Sequence, residues 1–184
     1  MLIIGITGTL GAGKGTIVDW LVTQKGFSHY SVRAFIAEEI LKRGLAVNRD
    51  SMVTVANDLR KANSPSYITD ELFFRALKTG KDAVIESIRT PGEIYSLREK
   101  GRFILFAVDA DPEIRYERIK ARQSETDNIS YDTFLMNEKR EMESHDPFVQ
   151  NISKCIELAD YRFTNNGTIE ELNRQVEQAI ASYE

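Results

Sequence analysis

Residues 8–16 of the chain read Gly8-Thr9-Leu10-Gly11-Ala12-Gly13-Lys14-Gly15-Thr16. The apolar residues 2–7 before this stretch are typical of a buried β-strand, and the spacing of Ile17, Trp20 and Leu21 after it is typical of a helix. The glycines allow a tight backbone turn between the two elements. The stretch therefore predicts a strand, a glycine-rich turn and a helix at the start of the fold.

The rest of the chain alternates short apolar runs with longer amphipathic ones. Further strands are predicted at residues 27–31, 83–85, 102–108 and 161–164, with helices between them. Strands that alternate with helices favour a parallel sheet covered on both faces. We therefore predict an α/β fold with three layers.

Length and charge restrict the class of protein. The chain has 184 residues, which suits one domain with a full hydrophobic core. Its net charge of −4 argues weakly against a nucleic-acid binder, which usually carries a basic excess. The apolar run at residues 1–6 ends too early for a signal peptide or a membrane span. We expect a cytoplasmic protein with neither a membrane nor a nucleic acid as its partner.

The spacing of Gly8, four residues and then Gly13-Lys14 is the pattern of a P-loop. In such a loop, backbone N–H groups surround a phosphate, and the positive end of the following helix adds to the attraction. Lys14 would supply a charge for the outer phosphates, and Thr16 a hydroxyl for Mg²⁺. We predict that all nine residues quoted above bind the phosphates of ATP. The alternative is a glycine-rich turn without a ligand; a dinucleotide-binding loop is disfavoured because such loops carry no lysine here.

The sequence Gly11-Ala12-Gly13-Lys14-Gly15-Thr16 resembles the loop of adenylate kinase and related nucleoside monophosphate kinases. Residues 84–89, 111–122 and 159–172 extend the likeness to a branch related to dephospho-CoA kinase. The resemblance implies one P-loop kinase domain over residues 1–184, with a five-stranded parallel sheet. It also implies an acceptor-binding segment at about residues 32–80, a short lid at about residues 122–130, and transfer of the γ-phosphoryl group of ATP.

The resemblance assigns roles to an acid and to several arginines. Glu86 stands where related kinases end a strand with an acid that helps to hold Mg²⁺, although those kinases have Asp-Gly where this chain has Glu86-Ser87. Arg89 stands where they place an arginine on the phosphate of the acceptor. Arg118 and Arg122 are four residues apart on one helix face and resemble the paired arginines at the edge of the lid. A solvated carboxylate and a salt-bridged helix face are the alternatives.

The residues after the second strand bear on the acceptor. Kinases of alcohols place an Asp there to orient or deprotonate the hydroxyl, whereas this chain reads His-Tyr-Ser31-Val-Arg33. A phosphate acceptor is already largely dianionic at neutral pH and needs cations instead of a base. We therefore predict that Ser31, Arg33 and Arg89 bind a nucleoside monophosphate. An alcohol kinase such as dephospho-CoA kinase and a regulatory nucleotide-binding protein with little turnover remain the alternatives.

The predicted base of the nucleotide lies at the other end of the chain. By resemblance, the backbone at Asn166 and Gly167 would lie beside the adenine, although Asn-Gly is also an ordinary turn signal. The chain has no Asn-Lys-x-Asp motif, so a small GTPase is disfavoured. The predicted lid contains no CxxC pair, which excludes a zinc-bearing lid.

Overall fold

A computed structural model describes residues 1–122 and 129–183 of the chain. The five strands of these residues are β1 (Leu2–Gly8), β2 (Ser28–Ser31), β3 (Ala83–Glu86), β4 (Arg102–Asp109) and β5 (Tyr161–Thr164). The helices are α1 (Lys14–Lys25), α2 (Val32–Lys42), α3 (Arg49–Ala62), α4 (Tyr67–Thr79), α5 (Pro91–Glu99), α6 (Pro112–Arg122), α7 (Tyr131–Met142), α8 (Ile152–Glu157) and α9 (Ile169–Ile180). Residues 123–128, which carry most of the predicted lid, lie outside the described part of the chain.

The strands form one sheet in the order β2-β3-β1-β4-β5, and all neighbours are parallel. The central strand β1 pairs with β3 through Ile6 and Glu86, and with β4 through Gly8 and Val108. Because the strands are parallel, their carboxyl ends meet at one edge of the sheet, where ligands bind in open α/β folds. The turn after β1, the start of the segment after β3 and the turn after β5 are thereby brought together.

Two separate cores cover the two faces of the sheet, as the alternation of side chains along a strand requires. On β1, Ile3 belongs to the core beneath α2, α3, α4, α5 and α8, while Ile4 and Ile6 belong to the core beneath α1 and α9. On β4, Leu105 belongs to the first of these cores and Phe106 to the second. The predicted three-layer α/β fold with a five-stranded parallel sheet is therefore confirmed.

The ends of the helices follow from local sequence. Ser31 ends β2, and its hydroxyl accepts a hydrogen bond from the backbone N–H of Ala34, so that α2 begins at once. Thr90 and Glu93 form a capping box at the start of α5, next to Pro91. In the described ranges, no helix is long and apolar enough to cross a membrane.

Candidate active site

A cavity of about 470 Å³ opens at the carboxyl edge of β1 and β3 and extends beneath α2 and α3. Both the predicted nucleotide residues and the predicted acceptor residues border it. The lining residues among the sequence predictions are Leu10, Gly11, Gly13, Lys14, Gly15, Thr16, Arg33, Glu86, Arg89, Arg118, Arg122 and Gly167. The other predicted residues, Gly8, Thr9, Ala12, Ser31 and Asn166, do not line it.

The loop between β1 and α1 has the backbone that its glycines predict. Gly13 has φ +105°, a left-handed conformation that favours glycine, and a Cβ there would come within 2.3 Å of the Asn165 side chain. Thr9 is buried, and its hydroxyl donates to the carboxylate of Asp109 at the end of β4. The loop is thus fixed by its neighbours on both sides, while Gly15 and Thr16 face the cavity.

Lys14 is folded back over the loop. Its Nζ donates to the main-chain oxygens of Gly8 at 3.0 Å and Thr9 at 2.7 Å. Burial, aided by the positive charge of Arg89, lowers the pKa of this amine to about 7. An anion beside Nζ would favour the charged form, so the position suits a lysine that acts on phosphate.

Glu86 ends β3 and lines the cavity, as Lys14 does. Its carboxylate lies 3.2 Å from Nε2 of His29. Burial acts to raise the pKa of Glu86, but the hydrogen bond from His29 and the charge of Lys14 outweigh it, and the pKa is lower than usual. Glu86 is therefore a partly buried, charged group and a weak base.

Ser87 follows Glu86 with φ +73°, and it is the only non-glycine residue in the described ranges with a positive φ. Its backbone N–H and that of Ile88 both donate to the main-chain oxygen of Ile6 at 3.0 Å. The related kinases have glycine at this position, so the departure noted in the sequence retains the backbone that glycine prefers, at a cost in strain.

Arg89 is held in the cavity by its backbone and its side chain. Its N–H donates to Glu93 Oε2 at 2.8 Å, and its carbonyl accepts from the N–H of Asn151 at 2.8 Å. Its Nη1 donates to Glu141 Oε2 at 2.9 Å, and the same carboxylate accepts a bond from Arg49 of α3. Three elements that are distant in sequence thus meet at Glu141.

Arg60 and Glu93 form an ion pair behind this cluster, with side chains 1% and 0% exposed. The Nε and Nη2 atoms of Arg60 lie 3.2 and 2.8 Å from Glu93 Oε1, while Glu93 Oε2 accepts from the backbone of Arg89 and Thr90. The pair therefore fixes the segment after β3 to α3. No local pattern in the sequence marks this pair, because the partners are 33 residues apart on separate elements.

The arginines of α6 have different surroundings. Arg118 and Arg122 line the cavity, and Arg118 donates to the main-chain oxygen of Asn165 at 2.9 Å. Arg115 is 2% exposed and is bound to Glu138 of α7 and to the carbonyls of Ala110 and Leu10. Its guanidinium lies 5.3 Å from the ring centroid of Phe134. Arg115 is a structural link between α6, α7 and the loop.

One wall of the cavity is apolar. It consists of two residues of α2 and three of α3, namely Val32, Ile36, Met52, Val53 and Ala56. Arg33 borders the same region, whereas the hydroxyl of Ser31 caps α2. The cavity therefore offers a polar, cationic side and an apolar side to a single ligand.

Comparisons with known proteins give the family. A family model described as AAA domain matches residues 4–146 of the chain. The chain is also 33% identical over 168 residues to a UPF0200 protein of Methanococcus vannielii, a match that covers 90% of this chain and 87% of that protein. The chain belongs to the AAA domain and UPF0200 families.

Solved structures with the same fold include several kinases. The chain is similar to TT1252 from Thermus thermophilus (22% identity, TM-score 0.64), with 100% of this chain and 98% of that chain covered. It is also similar to a gluconokinase from Sinorhizobium meliloti (12%, TM-score 0.63, 99% and 93% covered) and to shikimate kinase from Bacteroides thetaiotaomicron (12%, TM-score 0.59, 99% and 98% covered). The predicted fold of the P-loop kinases is confirmed.

Two regions of this AAA domain protein complete the site. Asn165 lines the cavity and binds the loop, whereas the side chain of Asn166 accepts a hydrogen bond from the N–H of Asp111 beside it. Arg49, Glu141 and Gln150 also line the cavity. No spacing pattern in the sequence marks them, because the Arg49–Glu141 pair spans 92 residues. The signal available for Arg49 was a basic residue at the start of a helix inside the acceptor-binding segment.

Proposed function

We propose that the protein transfers the γ-phosphoryl group of Mg-ATP to a small acceptor, most favourably a nucleoside monophosphate. The charge of the cavity supports this proposal above all. Of the described residues that line it, seven are Lys or Arg and two are Glu, although the whole chain has a net charge of −4. A cationic cavity in an acidic protein favours anionic ligands.

The P-loop side would hold the donor. Lys14 and the backbone N–H groups of the loop contact the ATP phosphates, and the turn at Asn166 and Gly167 lies beside the base. Arg118 and Arg122 would screen the transferring group, since phosphoryl transfer depends mainly on positioning and positive charge.

The donor set at Thr16 and Glu86 fits Mg²⁺. This ion takes few protein ligands when substrate phosphates supply the others, and both residues line the cavity near Lys14. When bound there, Mg²⁺ neutralises charge on the phosphates. Thr16 would offer its hydroxyl and Glu86 its ionised carboxylate, directly or through water.

The opposite side would hold the acceptor. Arg33, Arg49 and Arg89 suit a phosphate, and the apolar wall of α2 and α3 suits a flat base. The lowered pKa of Glu86 leaves it a weak base, and Glu141 is engaged by two arginines. An acceptor that is already ionised needs no base, which favours a phosphate over an alcohol.

An alcohol acceptor is the second candidate, because a gluconokinase and a shikimate kinase share the fold.

A panel assay separates the candidates. ADP release from Mg-ATP is measured with nucleoside monophosphates, with dephospho-CoA, gluconate and shikimate, and without an acceptor. We expect turnover with one monophosphate and its loss in Lys14→Met. Turnover with an alcohol only would establish the second candidate, and tight ATP binding without turnover would indicate a regulatory protein.

A further inference from the structure

Glu141 connects two arginines that reach the cavity from different parts of the fold. Arg49 Nη2 lies 2.5 Å from Glu141 Oε1, and Arg89 Nη1 lies 2.9 Å from Glu141 Oε2. The carboxylate is 6% exposed, while the arginines are 17% and 18% exposed. One buried anion therefore shares its two oxygens between two guanidinium groups on the cavity wall.

This arrangement leaves positive charge for a ligand. Two guanidinium groups and one carboxylate carry a net charge of +1, and each arginine has further N–H donors beyond the one bound to Glu141. The Nε of Arg49 is buried without a hydrogen-bond partner in the described ranges. Buried donors are normally satisfied, so an unsatisfied one at the edge of a cavity is consistent with a bond made on ligand binding.

The geometry of Arg89 indicates why Glu141 matters. The backbone of Arg89 is fixed on both sides by Glu93 and Asn151, whereas its side chain is fixed by Glu141 and, at 3.4 Å, by Gln150. Without the carboxylate, the guanidinium groups of Arg49 and Arg89 would repel one another and lose their common orientation. Glu141 is thus a means of holding two cations together before a ligand arrives.

We propose that Arg49 and Arg89 form a clamp for a phosphomonoester group, and that Glu141 is the positioning residue that sets the clamp. Arg49 would contact the phosphate directly, whereas Glu141 would act only through the two arginines. The identification of this phosphate as that of the acceptor rests on the proposed function; the clamp itself does not.

Titration with methyl phosphate tests the clamp. The protein is saturated with ADP and Mg²⁺, so that the P-loop is occupied, and binding is followed by NMR. We expect Arg49→Gln to weaken methyl phosphate binding about fivefold to tenfold, the loss of one charge-assisted hydrogen bond, with Arg49→Lys in between. Equal binding by wild type and Arg49→Gln would overturn the proposal.

Arg140→Gln is the matched control. Arg140 of α7 lies 3.2 Å from Asp50 of α3, so it joins the same two helices through an exposed ion pair outside the cavity. We expect this variant to bind methyl phosphate within about twofold of wild type, as for other exposed pairs. A loss equal to that of Arg49→Gln would show that α3–α7 docking, not a clamp, controls binding.

The role of Glu141 is tested by combining variants. Glu141→Gln should weaken binding, and Arg49→Gln should cost clearly less in the Glu141→Gln background than in wild type, because both changes damage one unit. Additive losses would contradict a role through Arg49. Should Glu141→Gln fail to fold, Arg49→Gln and Arg49→Lys still decide the clamp.

Activity distinguishes this inference from the proposed function. With the monophosphate found by the panel assay, Arg49→Gln should raise the KM of the acceptor about fivefold or more and leave the KM of ATP within about twofold. Methyl phosphate binding that depends on Arg49, without turnover of any monophosphate, would support the clamp and reject the function. Turnover of a monophosphate with the same acceptor KM in wild type and Arg49→Gln would support the proposed function and reject the clamp.

Discussion

Asn165, just after β5, donates a hydrogen bond from Nδ2 to the main-chain oxygen of Ala12, 2.8 Å away in the middle of the P-loop. Both residues are buried, and the backbone N–H of Asn165 donates in turn to the carbonyl of Asp109 at the end of β4. The loop is therefore tied through one side chain to the far edge of the sheet.

Removal of this bond should weaken nucleotide binding. In Asn165→Ala, the carbonyl of Ala12 loses a buried partner, and we expect ATP affinity to fall about fivefold or more, equivalent to about 1 kcal/mol. Gln175→Ala is the control, because its side chain donates to the carbonyl of Thr164 on β5 through an exposed bond outside the cavity. Isothermal calorimetry measures both; similar losses for the two variants would contradict the distinction.

The contrast between Asn165 and Asn166 shows how far the sequence could lead. The turn after β5 was located correctly because strand, turn and capped helix are local patterns. The asparagine that binds the P-loop was not identified. The pairing of β5 with β4 decides which of the two asparagines points inward, and local sequence does not show this. Glu141 was missed for a similar reason, because its partners Arg49 and Arg89 are 92 and 52 residues away. Local motifs were predictable; contacts set by the packing of distant elements were not.

Arg115 should matter for stability more than any exposed basic residue of α6. Its buried guanidinium binds Glu138 of α7 and the carbonyls of Ala110 and Leu10. In Arg115→Ala these groups lose their common partner, and we expect the free energy of unfolding to fall by about 2–4 kcal/mol.

Lys120→Ala is the control for Arg115→Ala. Lys120 lies on the same helix, and its ion pair with Glu117 is exposed. We expect a change below about 0.5 kcal/mol in urea denaturation. If Arg115→Ala were as stable as Lys120→Ala, the network around Arg115 would not contribute to the stability of the fold.

The pKa of Lys14 predicts that nucleotide binding takes up protons. The free protein has a pKa of about 7 at this amine, and phosphates beside Nζ should restore the charged form. ATP binding near pH 7 should therefore take up a fraction of a proton, and the uptake should rise towards about one at pH 9 and fall towards zero as the pH is lowered to about 5.

The uptake is measured by calorimetry in buffers with different ionisation enthalpies. The number of protons taken up per ATP bound should fall to zero in Lys14→Met. It should be unchanged in Lys120→Met, because Lys120 is exposed and paired on the surface. Proton release, or uptake that is unchanged in Lys14→Met, would show that another group titrates.

Ser87 should be one of the few positions where glycine is tolerated better than alanine. Its φ of +73° costs an L-residue about 1 kcal/mol, whereas glycine adopts it freely. Glycine also gains entropy in the unfolded chain, so Ser87→Gly should leave the free energy of unfolding within about 0.5 kcal/mol of wild type. Ser87→Ala should be less stable than Ser87→Gly, the reverse of the order in a helix. In Ser87→Val the free energy of unfolding should fall by about 1–2 kcal/mol or more, because a β-branched side chain fits this conformation worst.

Urea denaturation ranks the three variants. A valine variant as stable as the glycine variant would show that the segment after β3 relaxes out of the left-handed conformation.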